Sequence, residues 1–212
     1  STLAPAYRGT AYVVFETMAL ERFGNRLPQL NFEVFRAVDD FEKEVRAVNL
    51  IPSAGEFVYE DDQVIRVEDG VTIAENLHTS VGGTDFDVAL DQLEAQLPHV
   101  GNVSIVVSWF GTDLRVGACE VRPGVEVATK QTQPYDWSVG GVTRDEAYVV
   151  SEVAGRPAYG GTPADRAVVA AIKNLKARGL KVTFYPFISM DVPEENVLPD
   201  PYSGAGSQPS YP

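Results

Sequence analysis

The segment from residue 162 to residue 188 restricts the possible fold more than any other part of the sequence. Thr162-Pro163 predicts a helix start, because threonine caps helices well and proline fits the first helical position. An apolar stripe at helical spacing follows, made of Val168, Ile172 and Leu175. Gly179 ends this predicted helix, and residues 180–188 follow at once as a strand. A helix and a strand joined so closely are typical of α/β units, which favour parallel sheets with right-handed crossovers.

The same rhythm occurs earlier in the chain. The sequence predicts a charged bridge at residues 37–50 and a short strand at residues 56–59. A helix is predicted next, at residues 84–97. Residues 103–110 then form a nearly continuous apolar run, which predicts a buried strand. A (β/α)₈ barrel takes about 250 residues and eight strand–helix repeats. The sequence shows only about three such repeats. The chain therefore forms either a smaller open sheet or the first part of a barrel that continues beyond Pro212.

Two segments do not follow this alternation of strands and helices. Residues 111–161 contain short apolar runs separated by glycine and proline turns, and we interpret them as a strand-containing excursion on the rim of a barrel. Residues 198–212 are rich in proline, glycine and serine, so they predict a loop or a linker and not a core element.

The first forty residues differ from the rest. Residues 12–16 and 30–35 predict two strands, and the turn-rich residues 23–28 connect them. An isolated hairpin is marginally stable in water, so its apolar face needs another sheet, from the same chain or from a neighbouring subunit. We therefore divide the chain into a β-rich docking segment at residues 1–45 and an α/β domain at residues 46–212.

The charge and the residue counts exclude several classes of protein. Seventeen Lys and Arg residues against thirty Asp and Glu residues give a net charge of −13, which argues against specific nucleic-acid binding. No apolar run approaches the roughly 20 residues needed to span a bilayer. Cys119 is the only cysteine, and His78 and His99 are the only histidines. These counts exclude a cysteine-rich or three-histidine metal site, and we expect no metal and no cofactor. The acidic clusters at residues 60–62 and 194–195 are interpreted as solvated loops; their oxygens suit calcium, but their spacing fits no known calcium loop.

Several long motifs follow one another over nearly the whole chain. They are residues 7–15 (YRGTAYVVF), 23–28 (FGNRLP), 51–59 (IPSAGEFVY), 75–79 (ENLHT), 82–85 (GGTD), 107–111 (VSWFG), 156–163 (RPAYGGTP) and 182–187 (VTFYPF). In this order they resemble the tail-tip proteins of gene transfer agents and related tailed phages. The first two are similar to the opening hub segment of that family, and the others to its inserted glycoside-hydrolase TIM-barrel-like domain. Because proteins of this family are far longer, we expect the chain to be an N-terminal-side fragment.

The resemblance implies both a fold and a function. The implied fold is α/β, a partial (β/α) TIM-barrel-like domain preceded by a β-hairpin hub element. The implied function is that of a structural component of the baseplate hub or tail tip, assembled in the bacterial cytoplasm and active in attachment, envelope penetration and DNA delivery. The implied partners are other hub and distal tail subunits, further copies of the chain in a trimer, and cell-wall glycan. The alternative is a glycoside hydrolase that acts on peptidoglycan or surface glycan through a complete barrel.

Four residues are candidates for contacting such a glycan. Glycosidases use two carboxylates about 5–10 Å apart, which in a barrel lie at the carboxyl ends of strands. Asp113 and Asp191 each follow a predicted strand. Trp109 and Tyr185, like Phe187, can offer aromatic faces to a sugar ring. In the competing interpretation the aromatic residues belong to the core and the aspartates cap turns. No catalytic residue is assigned, because barrel glycosidases often carry their catalytic pair on later strands.

Other patterns have simpler explanations. The glycines before Thr84 predict a tight turn and a helix cap, since Asp85 and Asp87 would repel a phosphate. Glu75 and His78 form a Glu-x-x-His pair, which binds metal on a helix with partners but falls here in a predicted loop. We therefore interpret His78 as a surface or hydrogen-bonded histidine.

Overall fold

The computed structural model describes residues 41–68 and 70–211. The chain divides into two units, Ser1–Val38 and Asp39–Pro212, and the described elements belong to the second. The predicted strands at residues 12–16 and 30–35, and the hub hairpin they would form, lie outside the described residues. The domain boundary after residue 45 stays a prediction.

The described residues form three helices and thirteen strands, numbered here in chain order. The helices are α1 (Phe41–Glu44), α2 (Asp85–Gln96) and α3 (Asp165–Ala177). The strands are β1 (Ala47–Leu50), β2 (Ile65–Glu68), β3 (Val71–Ala74), β4 (Asn102–Gly111), β5 (Val121–Arg122), β6 (Gly124–Val125), β7 (Thr132–Gln133), β8 (Ser138–Val139), β9 (Val142–Thr143), β10 (Tyr148–Val149), β11 (Glu152–Val153), β12 (Arg156–Pro157) and β13 (Lys181–Met190).

The main sheet contains β1, β4 and β13 in that spatial order, all parallel, and β5 pairs antiparallel with the end of β4. β4 and β13 pair along their whole length, from Asn102 opposite Lys181 to Gly111 opposite Met190. The predictions of strands at 103–110 and 180–188 are confirmed. Each of these strands is reached through a helix, as the α/β rhythm predicted.

Helices α2 and α3 cover one face of the main sheet and form the core with it. Val103, Ile105 and Val107 of β4 point to this face and are buried with apolar residues of both helices, such as Phe86 and Leu175. Thr84 caps α2, because its side chain accepts a hydrogen bond from the backbone N–H of Asp87, which confirms the prediction.

The predicted partial (β/α) TIM-barrel-like domain is wrong. The described strands form five separate small sheets with few helices among them, and they do not close into a barrel. The eight strands between Val121 and Pro157 contain two residues each. Glycines and prolines divide this segment so often that it cannot supply the long strands of a barrel wall.

Among the described strands, β4 is the one that pairs with β13, so the other edge of β13 is open within residues 41–68 and 70–211, and the sequence of the strand gives a reason. The N–H of Lys181 donates to Gly101 and that of Asp191 to Gly111, so the odd-numbered residues of β13 direct their backbone groups towards β4. The even-numbered residues, which include Pro186, therefore direct theirs towards the open side. Because proline has no N–H to donate, it is typical of edge strands and not of central ones.

Three local predictions are also wrong. Residues 56–59 form a turn with buried side chains instead of a strand, with the N–H of Glu60 bonded to the carbonyl of Phe57. Residues 37–50 contain α1 and β1 and are not only a charged bridge. Helix α3 has Ala164 at its N-cap instead of Thr162, whose side chain accepts a hydrogen bond from the N–H of Gly124.

Candidate functional site

A groove with a volume of 390 Å³ lies on the face of the main sheet opposite the helices. The core residues of β4 alternate with Val106 and Ser108, which line the groove. β13 contributes Tyr185, Phe187 and Ser189 to the opposite wall. Mostly apolar walls with a few polar groups are typical of ligand sites, and this groove lies at the carboxyl half of parallel strands, where α/β proteins bind ligands.

Two aromatic residues form the outer wall of this groove. Tyr185 and Phe187 are 43% and 44% exposed, and their ring centroids lie 6.0 Å apart in an edge-to-face arrangement. Strand alternation places both rings on the groove face of the sheet. Serine hydroxyls lie in the same groove, at Ser53, Ser108 and Ser189. The groove therefore offers aromatic surface beside hydroxyl groups.

The floor of the groove is fixed by Tyr59, which sequence reasoning did not identify. Its hydroxyl accepts a hydrogen bond from the N–H of Val106 at 2.9 Å and lies 3.0 Å from the carbonyl oxygen of Leu50, so it bridges β4 and the end of β1. Burial raises the pKa of this hydroxyl to about 12. Tyr59 therefore stays protonated at neutral pH and holds the two strands in position.

The inner wall is formed by a loop that approaches the backbone closely at Gly160 and Gly161. A Cβ atom on Gly160 would lie 2.5 Å from the backbone nitrogen of Gly55, and Gly161 has a φ of +76°. Both positions therefore require glycine. Ser108 donates a hydrogen bond from its hydroxyl to the carbonyl of Gly161, which joins this loop to β4.

Of the four candidate residues, the structure brings only Tyr185 into the groove. Trp109 lies on the helix face of the sheet, half-buried against the core, because it alternates with Ser108 along β4. Neither Asp113 nor Asp191 lines the groove. Phe187, the third aromatic residue that the sequence suggests for a sugar face, lies beside Tyr185 and also lines the groove.

Asp113 has a structural role. It accepts hydrogen bonds from the Arg115 side chain at 2.6 and 3.0 Å and from Gln208 at 2.7 Å. The bond from the Arg115 guanidinium is the main reason why the pKa of Asp113 lies well below its usual range. Because Gln208 belongs to the C-terminal loop, Asp113 attaches that loop to the end of β4.

Asp191 is fully buried just after β13. Its carboxylate accepts a hydrogen bond from the N–H of Ser151 at 2.9 Å, and its own N–H donates to Gly111. Burial and the nearby charge of Asp191 raise the pKa of Tyr148 to about 12. Asp191 therefore joins the segment around residue 150 to the main sheet.

A buried network of charged side chains lies behind the inner wall of the groove. Glu56 is 1% exposed, and its carboxylate accepts hydrogen bonds from the Arg144 guanidinium at 2.7 and 3.0 Å. The Lys130 ammonium lies 3.4 Å from Glu56, 2.8 Å from Glu75 and 2.6 Å from Glu126. Burial would lower the pKa of Lys130, but the charges of Glu56 and Glu126 raise it above its usual value. The ammonium therefore stays charged.

Two groups of carboxylates in the described residues have the spacing of a metal site. In the first, Glu56, Glu75 and Glu126, the Lys130 ammonium already lies against all three and supplies the positive charge. In the second, Glu60, Asp61 and Asp62, the carboxylate of Glu60 accepts a 2.5 Å hydrogen bond from the Tyr135 hydroxyl. A group of acidic residues with such partners does not by itself indicate a metal ion.

The histidine of the Glu-x-x-His pair has a carboxylate partner. Nδ1 of His78 lies 2.6 Å from the carboxylate of Asp85, which also accepts a hydrogen bond from the backbone N–H of His78. Burial would raise the pKa of Asp85, but these hydrogen bonds hold it below its usual value. The interpretation of His78 as a hydrogen-bonded histidine is confirmed.

Comparison with known proteins does not identify the chain. No protein-family profile matches it, and no curated protein matches it. Among the described residues, no helix is both long and apolar enough to cross a lipid bilayer. A function must therefore be argued from the groove, from the open sheet edge and from the motifs in the sequence.

Proposed function

We propose that the chain is a structural, glycan-binding component of the distal tail of a gene transfer agent or siphophage-like particle. The observation that carries the binding role is the exposed pair Tyr185 and Phe187 beside the groove. The place in the tail rests on the resemblance of the sequence motifs. In this role the chain contacts cell-wall glycan during attachment, and the assembled tail then penetrates the envelope and delivers DNA.

The chemistry of the groove suits an uncharged sugar. A pyranose ring has apolar C–H faces, which can lie against the Tyr185 and Phe187 rings, and hydroxyl edges, which can bond to the serines and to Asn49. The net charge of −13 opposes the binding of anionic polymers. Neutral amino sugars of the cell-wall glycan are therefore a better match than nucleic acid.

Binding without hydrolysis fits the positions of the carboxylates. A glycosidase needs two carboxyl groups at the sugar, one of them protonated. None of the described residues that line the groove carries a carboxylate. Asp113 is held in its charged form by Arg115, and Asp191 is buried against the backbone of Ser151.

The open sheet edge supports a role in assembly. Phe184 and Ile188 of β13 are 51% and 53% exposed and lie at the edge that no other described strand pairs with. Exposed apolar side chains on an edge strand mark a surface that another chain can cover. Other hub and distal tail subunits and further copies of this chain are the partners that the proposal requires.

The proposal is tested in a bacterium that produces the particles. Deleting the gene is expected to remove complete tails and DNA delivery. Replacing Tyr185 and Phe187 together by alanine is expected to leave tails intact but to reduce adsorption to cells about tenfold, since two aromatic contacts contribute roughly 0.5–1.5 kcal/mol each. Electron microscopy shows whether complete tails form, and a DNA-transfer assay measures the delivery that follows adsorption.

Tyr202→Ala is the matched control, because Tyr202 is 85% exposed and does not line the groove. Its adsorption should equal that of the wild-type particles. Normal tails and DNA delivery without the gene would contradict the structural role. Wild-type adsorption by the double variant would contradict the binding role.

A further inference from the structure

We infer that the open edge of β13 pairs with β13 of a second copy of this chain, antiparallel about a two-fold axis at Pro186. This inference goes beyond the proposed function, because it specifies a contact that requires no other tail protein. Three observations support the inference: the sequence of β13, the direction of the backbone groups of β13 and the exposure of its side chains.

The sequence of β13 is self-complementary about Pro186. If the strand is paired antiparallel with itself at this centre, Phe184 lies opposite Ile188 and Tyr185 lies opposite Phe187. Further out, Thr183 lies opposite Ser189 and Val182 opposite Met190. Apolar residues therefore meet apolar residues, aromatic residues meet aromatic residues, and hydroxyls meet hydroxyls. Such cross-strand pairs stabilise antiparallel sheets.

The direction of the backbone groups of β13 also favours pairing that is centred on Pro186. The even-numbered residues of β13 direct their N–H and C=O groups to the open side, so Phe184 and Ile188 of the partner strand can exchange both hydrogen bonds. With Pro186 on the two-fold axis, the two prolines lie opposite each other, so the N–H donors that both strands lack fall at a single position of the ladder. Any other register would place the two prolines opposite other residues and interrupt the ladder twice.

The middle of the strand is open to a partner. Phe184, Tyr185, Phe187 and Ile188 are between 43% and 53% exposed. At the end of the strand the Met190 carbonyl accepts a hydrogen bond from the Tyr159 hydroxyl at 2.6 Å, so the ladder is centred on positions 184–188. An edge strand with this much exposed apolar surface is a template for pairing.

The dimer would join the two grooves. A two-fold axis perpendicular to the sheet keeps the same face of each copy on the same side, so Tyr185 of one copy lies next to Phe187 of the other. Four aromatic rings would then follow one continuous strip. Two linked sites bind a repeating polymer more tightly than one. This contact is two-fold, so it differs from the trimer that the family resemblance implies.

A charge-exchange experiment tests the contact and its register in the 212-residue chain. The wild-type chain at about 100 μM is expected to sediment with twice the 23.0 kDa mass of the monomer. Phe184→Asp alone and Ile188→Lys alone are each expected to weaken the dimer at least about tenfold, because each places a charge against an apolar partner. The double variant is expected to restore the dimer, since position 184 of each copy then faces the opposite charge at position 188 of the other.

Circular dichroism checks that all variants fold, and the mutated side chains lie on the helix face, away from the groove. Failure of this inference is therefore separate from failure of glycan binding. A monomeric wild-type chain, a trimer, or single variants that remain dimeric would overturn the inference. So would a double variant that stays monomeric, because the register would then be wrong.

A cross-link gives a second, independent readout. In a Cys119→Ser background, Pro186→Cys is expected to form a disulfide-linked dimer under mild oxidation, because hydrogen-bonded antiparallel partners have Cα atoms about 5.5 Å apart. Val182→Cys is the control, because position 182 faces position 190 and not itself. Equal cross-linking of both variants, or no cross-linking of Pro186→Cys, would contradict the proposed axis.

Discussion

Replacing Glu56 by glutamine is expected to lower the free energy of unfolding by about 3–5 kcal/mol, the cost of removing one partner from a buried ion pair. The carboxylate binds the Arg144 guanidinium and lies 3.4 Å from the Lys130 ammonium, and all three side chains are buried. The amide group of glutamine would direct N–H donors at these cations and leave Arg144 without its carboxylate, while Lys130 would keep Glu75 and Glu126. Urea unfolding at pH 7 measures the change.

The control for this prediction is Glu68→Gln. Glu68 lies 3.2 Å from Arg66 but its side chain is 62% exposed, so the pair should contribute at most about 1 kcal/mol. A loss below about 1 kcal/mol for Glu56→Gln as well would show that the buried network does not stabilise the fold.

Replacing Trp137 by alanine is expected to cost about 3–5 kcal/mol of unfolding free energy, as for other large buried aromatic residues. Trp137 is 1% exposed, its Nε1–H donates to the carbonyl of Thr162 at 2.7 Å, and the Arg144 guanidinium lies 5.9 Å from its ring centre. It therefore fixes the segment with the short strands to the loop that forms the inner wall of the groove. Trp109 remains as a fluorescent reporter of unfolding.

Trp137→Phe separates the contribution of the hydrogen bond from that of the volume. Phenylalanine keeps most of the ring but leaves the buried carbonyl of Thr162 without its donor, which costs about 1–3 kcal/mol. If Trp137→Ala costs no more than Trp137→Phe, the cavity has little effect and our description of the core around Trp137 is wrong.

The elements with a strong local signal could be predicted from the sequence. Helix α2 has a cap at Thr84 and an apolar face, and β13 follows directly after Gly179, so neither depends on distant residues. β1 was missed because it has only four residues beside a charged stretch, and pairing with β4 is what fixes it. The eight two-residue strands have no periodicity that a sequence can show.

The site was only partly predictable, for a geometric reason. The apolar run of β4 has apolar residues on both faces, so the sequence could not tell which face carries Trp109 and which carries Ser108. The buried network joins Glu56 to Arg144, which are 88 residues apart, and nothing local marks either residue. Tyr185 lines the groove, and its contact with a sugar stays a prediction.

Co-sedimentation with purified peptidoglycan sacculi tests the binding claim most directly. The purified chain is expected to pellet with the sacculi in a saturable way and to release no new reducing ends, while the double variant Tyr185→Ala and Phe187→Ala stays in the supernatant. Equal pelleting of the double variant, no pelleting of the wild-type chain, or release of reducing ends by the wild-type chain would contradict the account.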